Sequence, residues 1–200
     1  FRLHRQLLRR YSYEIISTLD VIRESLGAEH FYVALKKGYA STAEAVERDI
    51  AAFEHGEVKY LKEVYPAGDE IILINDTTGR VVPAGGLPID VKVIVYNVET
   101  ILNTYRALHG ECVTHKYVTV GGAVKNPQTY CVPLGTPLSY LVELAGGATE
   151  DDTVLLNGGP MTGNLAKSDD TVKKTTNGVL ALPRTNPVIA QRMQNVNVLK

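Results

Sequence analysis

The 200-residue sequence predicts an α/β domain followed by a small α+β domain, and three observations carry that expectation. Over the first part of the chain the apolar spacing alternates between helical and strand periods, in the order helix, strand, helix, strand. Further on, a hairpin, a helix and a returning strand are compressed into roughly 50 residues. A hydrophobic content of 44% is enough, at this length, for one ordinary core or two small ones. Two are expected.

Each element has its own signal. Ile15, Ile16, Leu19, Ile22 and Leu26 recur at helical spacing, and Gly27 follows as a left-handed stop. Phe31, Val33 and Leu35 alternate with Tyr32, Ala34 and Lys36, which predicts a short strand beginning near His30. Ser41 and Glu44 form a capping-box pattern before Ala45, Val46, Ile50 and Phe53, with Gly56 just past the helix end. Val58 and Tyr60 open another strand, so the layer is expected to hold a largely parallel sheet.

The stretch from Tyr65 to Thr100 is read in two ways. In Ile71-Ile72-Leu73-Ile74, β-branching favours a strand, whereas the preceding Gly68-Asp69-Glu70 is helix N-terminal chemistry, since carboxylates suit exposed N–H groups and the positive dipole end. Thr77 to Asp90 carries Gly79, Pro83, Gly85, Gly86 and Pro88 and reads as a long irregular loop. Val91, Val93 and Val95 then alternate into an expected strand, and Asn97 is a natural N-cap for a helix carrying Val98, Ile101, Leu102, Tyr105 and Leu108, stopped by Gly110.

Downstream, Lys116 to Val124 and Thr129 to Val132 read as strands joined by a turn at Lys125-Asn126-Pro127-Gln128. Thr136 is expected as N-cap and Pro137 as first residue of a helix through Leu138, Leu141, Val142 and Ala145, ending at Gly146-Gly147. Val154 to Leu156 returns as a strand, completing a β-grasp pattern. The run Gly158 to Gly163 lacks both the Walker Lys-Ser/Thr and the Rossmann order, and reads as a structural turn. Asp169 to Lys174 is expected as a solvated connector, Val179 to Leu182 as a last strand, and 183–195 as a short terminal helix.

Composition excludes several functions. A net charge of −1, with Lys and Arg scattered among acids, gives no basic stripe for nucleic acid. The one basic cluster, Arg2, His4, Arg5, Arg9 and Arg10, reads as a solvated helix face, with a docking surface as the alternative. No apolar run approaches the roughly 20 residues that span a bilayer, and no signal peptide opens the chain, so a soluble protein is expected. Phe1 lies inside a helical pattern, which suggests an excised fragment. Cys112 and Cys131 are too few for an iron–sulfur cluster and read as free thiols in a reducing compartment, with a disulfide as the alternative. His4, His30 and His55 are isolated in the pattern and read as surface or cap residues, not metal ligands. No residue stands out as a nucleophile or general base.

Three ordered blocks carry a family resemblance: YPAGDE at 65–70, VPAGGLP at 82–88 and YNVETI at 96–101. Together they resemble the RnfC component of Rnf-type electron-transport complexes and the related PduS-like cobalamin reductases. More distantly they are similar to the flavin-bearing, NADH-oxidising subunit of respiratory complex I. In that family FMN lies between a glycine-rich loop and these blocks, and NADH stacks on the flavin. Gly68, Asp69 and Glu70 match the family's Gly-Glu-Glu turn, beside the flavin and the nicotinamide nucleotide, with Asp69 in place of the first Glu. Asn97 matches the second Asn of Asn-Asn-Val-Glu-Thr, near the flavin, and Tyr96 replaces the first. The β-grasp segment and its GGPMTG loop resemble the SLBB domain that follows in the same proteins.

The resemblance implies a layout: residues 1–112 as the C-terminal part of an FMN/NADH domain, 113–165 as an SLBB domain, and 166–200 as a connector toward an iron–sulfur segment. It also implies an NADH:acceptor oxidoreductase passing electrons through FMN to [4Fe–4S] clusters that lie outside this chain. The implied partners are NADH and other electron-transfer subunits or a downstream reductase, and the implied location is cytoplasmic, peripheral to a membrane complex or inside a bacterial microcompartment. The glycine-rich loop and a Glu-Cys-Glu-Pro block are expected before Phe1, and a cysteine-rich segment after Lys200, so the fragment alone is expected to be inactive. The competing expectation is a non-catalytic binding or assembly module, in which Tyr96 and Asp69 mark a degenerate flavin site.

Overall fold

A computed structural model describes residues 2–167 and 169–193, and the chain forms two compact units, one from His4 to Cys112 and one from Val113 onward that also takes in the start of the chain up to Leu3. In the first, α1 (Leu3–Arg10) and α2 (Ser12–Leu26) precede β1 (Phe31–Lys36), α3 (Ala40–Ile50) and β2 (Gly56–Leu61). Then come α4 (Glu70–Thr78), a 3-10 turn at Pro88–Val91 and α5 (Val98–Leu108). Ile15 and Ile16 of α2 are buried and α2 packs on both α3 and α5, whose Val46, Ile50, Ile101 and Leu102 are buried too. Each such side chain contributes about 1.5–3 kcal/mol by leaving water. β1 turns Phe31, Val33 and Leu35 inward and pairs in parallel with β2, from Phe31 opposite Gly56 to Lys36 opposite Leu61. Gly27 ends α2 with φ 64°, as its position predicts.

Three local expectations in this unit change, and one that was open is decided. The Ser41–Glu44 capping box does not form, because α3 already starts at Ala40, with Tyr39 as an N-cap that makes no side-chain bond. Gly56 does not terminate α3. The helix ends at Ile50 with Ala51 as C-cap, and Gly56 opens β2. The competition over Ile71–Ile74 resolves as helix, since the Asp69 cap outweighs β-branching. The expected strand at Val91, Val93 and Val95 is absent: Lys92 adopts φ 54°, breaking the extended run, and no described strand pairs with it.

The second unit is a five-stranded mixed sheet in the order β4-β3-β7-β5-β6. It comprises β3 (His115–Gly122), β4 (Gln128–Pro133), β5 (Thr153–Asn157), β6 (Asn164–Leu165) and β7 (Gly178–Pro183), with α6 (Leu138–Leu144) and α7 (Pro187–Met193). β3 and β7 are parallel, while the other pairs are antiparallel. Val118, Val120, Val132, Leu138, Leu141, Val179 and Ala181 form one buried cluster. β7 coincides with the last strand expected at Val179 to Leu182 and takes the centre of the sheet, with Val179 and Ala181 turned inward and Val172 in the same core. Pro137 is the N-cap of α6, whereas Thr136 Oγ1 donates back to the Pro133 carbonyl. The last positions of the expected terminal helix, 194 and 195, lie outside the described residues.

Candidate functional site

The turn before α4 is fixed by backbone bonds. Tyr65–Pro66 is a cis peptide, Ala67 is buried, and the Asp69 N–H donates to the Pro66 carbonyl at 2.7 Å. Asp69 Oδ1 then accepts the Ile71 N–H at 3.1 Å, capping α4, while Ile74 anchors the helix in the core. Gly68, Asp69 and Glu70 are all exposed. No heavy atom lies within 4 Å of where a Cβ on Gly68 would sit. Nothing in this chain requires a glycine there; what it provides is uncovered backbone open to a ligand.

After Gly79 closes α4, the loop is held by Arg80, whose Nη1 donates to the carbonyls of Val91 and Lys92 at 2.9 and 3.1 Å. Asp90 Oδ2 accepts the Leu87 N–H at 2.8 Å. The loop delivers the chain to Asn97, whose Oδ1 accepts the Glu99 N–H at 3.0 Å and so caps α5. Glu99 is buried in the first helical turn, where the dipole favours a carboxylate. Asp69 and Asn97 thus perform the same local task on two helices, each tied to its own.

What the fold does bring to Asn97 is His4 of α1, whose Nε2 lies 3.1 Å from Asn97 Nδ2. Sequence reasoning placed His4 in a solvated basic face, and its only signal was that position; a contact across 93 residues leaves no local pattern. Arg5, from the same run, lies 4.9 Å over the Tyr39 ring, while Arg9 and Arg10 are exposed. His30 and His55 also meet, with ring centroids 6.3 Å apart. Among the described residues no group of three or more His, Cys, Asp or Glu is placed for a metal ion. Cys112 and Cys131 are free and exposed, as expected of thiols without a partner.

A parallel β-α-β layer with exposed caps at two helix N-termini, joined in sequence to a β-grasp sheet, defines the class: an α/β domain followed by a β-grasp module. Residues 1–106 match the family described as the Nuo51 FMN-binding domain, and residues 117–165 match the SLBB domain. The chain belongs to the Nuo51 FMN-binding-domain family and carries an SLBB domain after it.

Its relatives include a cobalamin reductase and components of oxidoreductase complexes. Cobalamin reductase PduS of Citrobacter freundii is 41% identical over 97% of this chain and 43% of that protein. The C component of the Na(+)-translocating ferredoxin:NAD(+) oxidoreductase complex of Acetobacterium woodii is 32% identical over 92% of this chain and 42% of that protein. The chain therefore spans about two fifths of the curated relatives it matches. A crystal structure of an NAD+-reducing [NiFe]-hydrogenase in the H2-reduced state superposes with TM-score 0.74, covering 98% of this chain and 40% of that one. At 21% identity that likeness establishes the shared fold. No described helix is long and apolar enough to cross a membrane.

Each block separately keeps backbone or hydrogen-bonding capacity of the kind a flavin edge takes up. A flavin ring presents carbonyls and ring nitrogens at its edge, and a bare backbone turn at Gly68 leaves room for close approach. A side-chain amide has two N–H donors and two acceptor positions, so Asn97 keeps one of each after meeting His4 and Glu99.

Proposed function

We propose that this chain is the central part of a flavin-dependent NADH dehydrogenase or electron-transfer subunit. When bound, FMN would supply the redox chemistry, taking a hydride from NADH and passing electrons singly to [4Fe–4S] clusters elsewhere in the protein. This chain's residues bind and orient. Gly68 offers backbone to the ring, Asp69 and Glu70 receive nucleotide hydroxyls, and the remaining Asn97 N–H donates to the flavin edge. The layout follows the same proposal: 1–112 as part of the FMN domain, then the β-grasp unit, then a path toward the clusters. Partner subunits or a soluble reductase receive the electrons, at the periphery of a membrane complex or within a microcompartment.

The observation that carries this reading is the flavin-domain match over residues 1–106 with its two matching polar blocks exposed at helix N-termini. FMN fluorescence quenching tests it, in the 200-residue chain and in a chain extended upstream through a glycine-rich loop. Quenching by the extended chain alone is the expected result, together with no NADH oxidation by the shorter chain. If neither chain quenches FMN, the flavin site is degenerate and the assembly-module reading replaces this one.

A further inference from the structure

We infer that His4 is a positioning residue for Asn97, holding its amide so that one N–H faces the flavin; this rests on the flavin reading above. Two contacts fix which way the amide points. Oδ1 must be the atom facing the Glu99 N–H, because an N–H cannot accept from another N–H. Nδ2 therefore faces His4, and since an amide nitrogen is only a donor, His4 Nε2 is the acceptor. His4 is thus neutral, with its ring proton on Nδ1, when it makes this bond.

The residue type matters because of its neighbours. Arg2, Arg5, Arg9 and Arg10 share the run, yet guanidinium groups have no acceptor position and none of them could replace His4 in this bond. An exposed Asn side chain held only by its cap bond keeps freedom at its outer end. A second bond from another helix removes that freedom before the ligand arrives, which lowers the cost of binding. His4 acts through Asn97 and is not proposed to touch the flavin.

The test has two arms. Side-chain nitrogen NMR of the 200-residue chain reads the contact directly, without flavin. Wild type should show His4 protonated at Nδ1 and one Asn97 amide proton shifted by the bond. His4→Ala should remove that shift, and His4→Gln, which restores an acceptor, should recover it in part. Unchanged Asn97 signals in His4→Ala overturn the proposal regardless of any flavin result.

The second arm measures FMN affinity and the bound-flavin absorption spectrum in the upstream-extended chain. His4→Ala should weaken FMN about three- to tenfold, the effect of one hydrogen bond, and alter the spectrum, with His4→Gln partly restoring both. Wild-type binding with no change in His4→Ala overturns the positioning role while leaving the flavin reading intact. No binding by wild type overturns the flavin reading and this proposal with it, though the NMR arm still decides whether the contact exists.

Discussion

Asn97 carries two tasks, and a substitution separates them only if it is chosen for its hydrogen-bonding atoms. Replacement by Ala removes the α5 cap, which costs about 0.5–2 kcal/mol, so lost flavin binding in that variant would partly report lost stability. Asn97→Asp keeps a good cap acceptor for the Glu99 N–H and removes only the amide donors. The expected outcome is a near-normal urea midpoint with FMN quenching weakened at least as much as in His4→Ala. A flavin affinity equal to wild type in Asn97→Asp would assign this residue to helix capping alone. Asn97 and Asp69 were legible in the sequence as caps, because capping is local. The partner of Asn97 was not legible, because His4 is brought to it only by the packing of α1.

At the scale of elements, α2 and α3 are joined where one begins and the other ends. The Ser12 hydroxyl donates to Asp49 Oδ2, and Arg48 donates to both Asp49 oxygens at 2.7 and 2.9 Å. The Arg48 guanidinium holds the Asp49 carboxyl below the ordinary carboxylate value, helped by Ser12 and opposed by partial burial. A depressed acid stabilises fully above its unfolded value, about 4, and loses that contribution as pH falls through its folded value. Asp49→Asn should therefore lower the urea midpoint slightly at about pH 7 and match wild type near pH 2. A gap that persists in acid would exclude the ion pair as its source.

Helices with strong ends were readable by the same local logic, as Gly27 and Asn97 illustrate. Where a tertiary condition decides, local patterning misleads. Val91 to Val95 alternates like a strand but lacks a pairing partner among the described residues, and Lys92 turns the chain. Ser41 has cap chemistry but sits one residue inside a helix that begins earlier.

For the whole molecule, two separate cores mean that damage to one should remain there. Gly122 has φ 84°, and a Cβ on it would fall 2.1 Å from the Ala181 carbonyl oxygen, where β3 and β7 run side by side. Gly122→Ala must strain a left-handed position and push β7 away, at a cost of at least about 1–3 kcal/mol. Amide exchange should accelerate throughout β3, β4, β5 and β7 and remain unchanged in α2 and α5. Equal acceleration in both units would show that the chain unfolds as one. The central place of β7 was hidden in the sequence because its pairing crosses from Thr119 to Gly178, past a helix and three other strands.

The pairing of β1 with β2 has a practical consequence for anyone handling this chain. Among the described residues each strand pairs with no strand but the other, so one flank of each offers main-chain N–H and C=O groups that no strand covers. Parallel ribbons of two strands are rare as freestanding structures, and bare flanks template sticking between molecules. Stock solutions of the 200-residue chain should gain light scattering with concentration. The same flanks make Tyr32, Ala34, Val58 and Tyr60 the natural sites for a solubilising Lys or Pro, provided the substitution leaves Val33 and Leu35 in the core.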